Sequence, residues 1–203
     1  MRKRLNLLIF ISVALCVATL AATSAQASPL EVEGVAKVGM LTGSYSGRDA
    51  TGSFDSQGAV ELEADLFRSP GMAYAVRSSV ALDVTTSRTR YFYAGIGQRF
   101  FFGPHGFESF TQESGDSIRI HPKLRYLAGY DVGLAQVLVI PYGTVLGAYA
   151  TTGDINALLG ARYSFDHSMS MDATLGAGVG TGIATMNVTT TTIRALLGFV
   201  YGF

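Results

Sequence analysis

The chain has 203 residues, of which 48% are hydrophobic and only 15% charged, with 15 basic side chains against 15 acidic ones. That balance excludes an electrostatic nucleic-acid binder, and no block of like charge marks an interaction tail. A single cysteine rules out a disulfide framework. Glycine, at 24 residues, stands well above its usual share of about 7%.

Arg2, Lys3 and Arg4 precede an apolar run from Leu5 to Ala22, and Ala25-Gln26-Ala27 follows as a small-x-small site. This is the pattern of a cleaved secretory signal peptide over 1–27. Cys16 follows Leu15 rather than a small residue, so it is a poor lipoprotein site and leaves with the leader. A thiol-free mature chain suits export through an oxidising periplasm. Three of the 15 basic residues lie in the leader, which leaves 12 against 15 acidic ones. After Ala27 no apolar run approaches the ~18 residues of a membrane helix. Residues 28–203 are expected to form one domain.

Within it, apolar residues recur with a period of two, the period of a strand. Val35 to Gly43 is a short first candidate. Between Gly58 and Phe67, Val60, Leu62, Ala64 and Leu66 oppose Glu61, Glu63 and Asp65. After the turn signal Arg68-Ser69-Pro70-Gly71, the run Tyr74 to Val84 sets Tyr74, Val76, Val80, Leu82 and Val84 against Arg77, Ser79, Ala81 and Asp83. From Tyr91 to Phe102, Phe92, Ala94 and Ile96 oppose Tyr91, Tyr93, Gly95, Gly97 and Arg99. Leu124 to Gly133 alternates with Arg125 and Asp131 on one face. Gln136 to Ala150 is apolar on both faces and holds Pro141, which belongs near a strand start or turn. Ile155 to Phe165 and Met169 to Val179 alternate strictly. The final run puts Ile193, Ala195, Leu197, Phe199, Tyr201 and Phe203 on one face.

These are nine candidates, and a bacterial single-chain barrel has an even number. The surplus lies in the short first run or in 117–150. We expect an all-β, closed antiparallel up-and-down transmembrane β-barrel of 8 strands, with 10 as the alternative. Segments 44–57 and 103–117 read as its polar loops.

A soluble ligand-binding barrel would show the same alternation with its apolar face inward. Two features put that face outside, against lipid. The opposite face carries Gly95, Gly97, Gly176, Gly178, Gly180, Gly198 and Gly202, which suit a crowded narrow interior. It also carries Glu61, Glu63, Asp65, Asp83, Asp131 and Asp172 against Arg77, Arg99, Arg125, Arg162 and Arg194. Near-equal numbers, with arginine as the only base, predict a lumen filled by paired charges.

Other motifs have plainer readings. Gly176 to Gly182 repeats every second residue with no helical pattern after it, so it is a strand face rather than a dinucleotide loop. Glu61, Glu63 and Asp65 share a face as acceptors for lumen arginines, with no histidine nearby in sequence to suggest a metal or acid/base site. His167-Ser168 reads as a turn rather than a hydrolase pair, since no glutamate follows Glu113. His105 and His121 are isolated, and Asn187-Val188-Thr189 is a chance sequon. No cofactor, metal or catalytic centre is expected.

The leader, the alternating strands and the ending Phe199-x-Tyr201-x-Phe203 together resemble small bacterial outer-membrane β-barrels of the OmpA/OmpX type. The resemblance implies an outer-membrane location in a Gram-negative cell envelope, with membrane lipids and lipopolysaccharide as surroundings. It implies that Phe199, Tyr201 and Phe203 form the signal read by the barrel-assembly machinery. It leaves activity open, because such proteins include structural barrels, adhesins, narrow porin-like channels and lipid-modifying enzymes. The reading drawn from it is a non-enzymatic barrel with a structural or surface-interaction role and a lumen blocked by arginine–carboxylate pairs. A pore and a lipid-directed enzyme are its rivals.

Overall fold

Eight long strands, each hydrogen-bonded to two neighbours, close into an antiparallel barrel in the computed structural model. The described residues are 31–69, 71–82, 89–102, 108–111, 117–120, 123–143, 146–165, 168–183 and 186–202. The expected leader therefore lies outside them, as do Asp83, His105, His121, His167 and Phe203. The strands are β1 (Val32–Gly47), β2 (Thr51–Ser69), β3 (Met72–Leu82), β4 (Thr89–Phe102), β7 (Leu124–Val139), β8 (Ala148–Ser164), β9 (Met169–Gly182) and β10 (Val188–Gly202). Between β4 and β7, β5 (Glu108–Thr111) and β6 (Ser117–Ile120) form a separate two-stranded hairpin. The barrel order is β1-β10-β9-β8-β7-β4-β3-β2. Glu33 opposite Gly202 closes it, so β1 begins and β10 ends at the same rim.

Eight replaces nine because Leu124 to Gly133 and the start of the Gln136 run are one strand, β7, and Pro141 falls in the connection after it. The 44–57 segment is not a loop. Ser44 to Gly47 continue β1 and Thr51 to Gln57 belong to β2, with three residues between the strands. Opposite Leu41 and Gly43 a register shift breaks the alternation of β2, where Phe54 and Gln57 are both buried, and the outer face turns from apolar to hydroxyl-bearing. Both changes hide a strand from a hydrophobic-periodicity reading. The 103–117 segment contains β5, and its long connection sits at the rim where β1 begins.

The faces divide by chemistry. Val38, Met40, Val60, Leu62, Ile96, Val132, Leu159, Leu175, Val179, Ile193, Leu197 and Phe199 point outward and are exposed. Leu159 is 65% exposed, whereas Arg162, three residues on, is 1% exposed. Around the rim where β1 begins, the outer face is aromatic: Tyr74, Phe100, Phe102, Tyr126, Tyr163, Phe165, Phe199 and Tyr201. Towards the far rim it gives way to hydroxyls, with Thr42, Ser44, Ser46, Thr181, Thr189 and Thr191 exposed.

Candidate functional site: the barrel interior

Period-two alternation aims every second side chain of each strand at the barrel axis, so eight strands bring distant residues together. The interior is built in three levels.

Nearest the rim where β1 begins, Phe67 and Phe101 stack with ring centroids 5.2 Å apart. The Arg125 and Arg162 guanidinium carbons lie 5.1 and 5.0 Å from the Phe101 centroid, an arrangement that attracts cations to the ring face.

The middle level is ionic. Arg162 donates to Glu33, to Asp65 at 3.0 Å and to Asp172 at 2.9 Å. Arg125 meets Glu33 at 3.2 Å. Arg99 grips Glu63 through two nitrogens, at 2.6 and 3.2 Å. Arg77 bridges Glu61 at 2.9 Å and Asp131 at 2.7 Å, and lies over the Tyr93 ring at 4.2 Å. Tyr93 donates its hydroxyl to Asp131. Arg194 lies 3.7 Å from Glu61 and 3.8 Å from Asp131, and donates to Asn156 Oδ1 at 3.1 Å. All these charged side chains are buried.

This level contains residues that the alternation did not reveal. Lys37, 1% exposed, reaches Glu61 at 3.3 Å, Glu63 at 3.6 Å and Asp172 at 3.8 Å, so the inward bases are not arginine alone. Glu33 is also inward. Both sit on β1, whose faces were not read because the run looked short. Asp154 is buried beyond the ion pairs and accepts from Tyr91 Oη at 3.2 Å and from the Thr152 hydroxyl.

The glycine stripe of β9 makes room for these groups. A Cβ on Gly176 would stand 2.8 Å from Arg194 Nε, and one on Gly180 would stand 2.0 Å from Asp154 Oδ1. Such contacts exclude any larger residue unless the polar side chain moves.

The far level is apolar: Leu41, Tyr45, Phe54, Tyr91, Val137, Val139 and Val188 pack into one buried cluster. This explains why 136–139 is apolar on both faces, since Val137 and Val139 fill the interior while Leu138 and Ile140 face out. Above it residues 140–143, which follow β7, reach across the mouth. In the closed order β7 stands four strands from β1. Yet Ile140 donates its backbone N–H to Tyr45 Oη at 3.2 Å, Tyr142 donates its own to the Asp49 carbonyl at 3.0 Å, and the Tyr142 hydroxyl donates to Thr51 Oγ1 at 2.6 Å. Gly143, at φ 74°, takes the left-handed turn this path requires. The Asp49 carboxylate also accepts the Asn187 N–H at 2.6 Å, tying the β9–β10 connection to the same point.

The closed eight-strand architecture, apolar outside and polar within, is that of small outer-membrane β-barrels. The structure superposes on Neisserial surface protein A with a TM-score of 0.52 at 16% identity, covering 86% of this chain and 97% of that one. It superposes on the N-terminal β-barrel domain of OprF from Pseudomonas aeruginosa with a TM-score of 0.53 at 13% identity, covering 85% and 97% respectively. No protein-family model and no curated protein sequence matches the chain.

Proposed function

We propose that this protein is an integral barrel of the bacterial outer membrane whose lumen is sealed, and that its role is structural rather than catalytic or conductive. One observation carries the reading: the charged level is buried, with Lys37, Glu61, Arg77, Arg99, Asp131, Arg162 and Asp172 each no more than 1% exposed. A water-filled pore would leave such groups wet. The apolar outer face supports membrane embedding, because only a helix or a closed sheet satisfies every backbone group in lipid. The aromatic rim corresponds to the girdles at membrane boundaries.

The buried charged groups named above are engaged by opposite charges or hydroxyls, which suits a structural filling better than a reactive centre. With the start of β1 and the end of β10 on the periplasmic side, the rim where β1 ends and β2 begins faces outward, and the rim between β4 and β7, with β5 and β6, faces the periplasm. That places the longest connection opposite to the usual pattern of short periplasmic turns and long external loops. Surface contact then falls to the strap over the mouth, and periplasmic contact to the hairpin.

Four measurements test this. The folded protein should resist SDS until boiled and then change mobility, and carbonate should not extract it from membranes. In planar bilayers it should show no stepwise conductance. Defined single-channel steps would make it a pore, and carbonate extraction would make it a soluble barrel. A change in the lipid mass spectrum of expressing cells would reinstate the enzyme.

A further inference from the structure

The charges of the interior do not cancel. Among the described residues six bases and seven acids are buried. Glu33, Glu61, Glu63, Asp65, Asp131 and Asp172 each have a base at 3.3 Å or less. Asp154, 2% exposed, has no base among the described residues and accepts from the Tyr91 and Thr152 hydroxyls instead.

A second observation falls at the same place. Asp154 of β8 and Thr190 of β10 stand on either side of Gly180 of β9. With no side chain between them, both lean over that glycine. A Cβ on Gly180 would lie 2.0 Å from Asp154 Oδ1 and 2.6 Å from Thr190 Oγ1, so the two oxygens crowd one point. Thr190 is 0% exposed, and its Oγ1 has no hydrogen-bond partner among the described residues. Thr152, also 0% exposed, donates to Asp154 Oδ1 and keeps lone pairs of its own. The next inward group on β8, Asn156, is turned away, its Oδ1 accepting from Arg194 at 3.1 Å.

We propose that Asp154 Oδ1, Thr152 Oγ1 and Thr190 Oγ1 hold one monovalent metal cation inside the barrel. The site rests on the sealed interior of the reading above. A buried charge is paired or coordinates a metal, and Asp154 lacks the pair. Donors that are all oxygen suit a hard cation of the sodium kind. A single positive charge brings the buried groups to balance, whereas a divalent ion would overshoot it. A water molecule would satisfy Thr190 but leave the charge uncompensated.

The test uses sodium as the probe. Wild type is refolded into lipid vesicles in sodium chloride and, at equal ionic strength, in the chloride of the bulky cation N-methylglucamine. Urea unfolding followed by far-UV circular dichroism should show a folding equilibrium about tenfold or more higher in sodium. Thr190→Val keeps the shape, deletes one oxygen and should need at least tenfold more sodium for the same gain. Asp154→Asn removes the charge and should unfold alike in both salts. Equal wild-type equilibria in the two salts would overturn the site and leave Asp154 to a proton. A sodium gain that survives in Asp154→Asn would place the ion elsewhere and overturn it too. Planar-bilayer recordings on the same preparation separate the two readings. If sodium has no effect and the bilayer is silent, the site alone fails; stepwise conductance means a wet lumen, and the sealed reading fails together with the site.

Discussion

Arg162→Met isolates the contribution of the buried ionic level. The substitution retains most of the apolar stem against Phe101 but removes one positive charge from three carboxylates, Glu33, Asp65 and Asp172. Glu33 keeps Arg125 at 3.2 Å and Asp172 keeps Lys37 at 3.8 Å, while Asp65 loses its 3.0 Å partner. Breaking a buried pair from one side costs ~3–5 kcal/mol, because the remaining charge is left desolvated. The folding equilibrium should therefore fall roughly 150- to 5,000-fold. The chain has no tryptophan, so urea titration in lipid vesicles should be followed by far-UV circular dichroism and by gel mobility. Adding Asp65→Asn should recover part of the loss. A loss below ~1 kcal/mol, typical of exposed pairs, would refute the reasoning, since it would mean that water solvates these charges.

Leu159→Arg, on the outer face near mid-strand, should destabilise the barrel in lipid by ~2–4 kcal/mol, and Thr189→Arg near the far rim by no more than ~1 kcal/mol. Equal costs in the same vesicle titration would argue against hydrocarbon contact. Gly180→Val forces a side chain onto Asp154 Oδ1 and should lower the urea midpoint by more than Ala177→Val, whose side chain points outward. Asp49→Ala removes the acceptor for the Asn187 N–H, and should speed hydrogen exchange at Asn187 and Val188 while leaving the Leu175 amide protected. Uniform exchange across all three would mean that Asp49 does not hold the mouth.

The face assignments were legible in the sequence wherever a strand divides an exposed apolar face from a charged interior. Val60, Leu62 and Leu66 against Glu61, Glu63 and Asp65 leave one arrangement open once the membrane is allowed for. Legibility failed where that contrast disappears. Tyr45 and Phe54 are the apolar inward partners of exposed serines and threonines, so the pattern is inverted there and passes for a loop. Val137 and Val139 face an apolar interior, so both sides of β7 look alike and the strand seems to end early. Lys37 and Glu33 were missed because the first candidate, Val35 to Gly43, was short and began after Glu33, with glycine and alanine diluting its alternation. The strap could not be read at all: the bonds of Ile140 and Tyr142 to Tyr45, Asp49 and Thr51 depend on barrel closure, which brings sequence-distant segments across the mouth.

All eight walls contribute to the ionic filling, from Lys37 on the first to Arg194 on the last. A half-assembled sheet cannot form it, because Lys37 and Asp172 face each other only after the seam between the first and last strands has joined. Interactions completed this late slow departure from the native state more than they hasten arrival. The protein should therefore owe its persistence to a slow rate of opening, and variants of these residues should shorten its lifetime in SDS more than they delay its assembly.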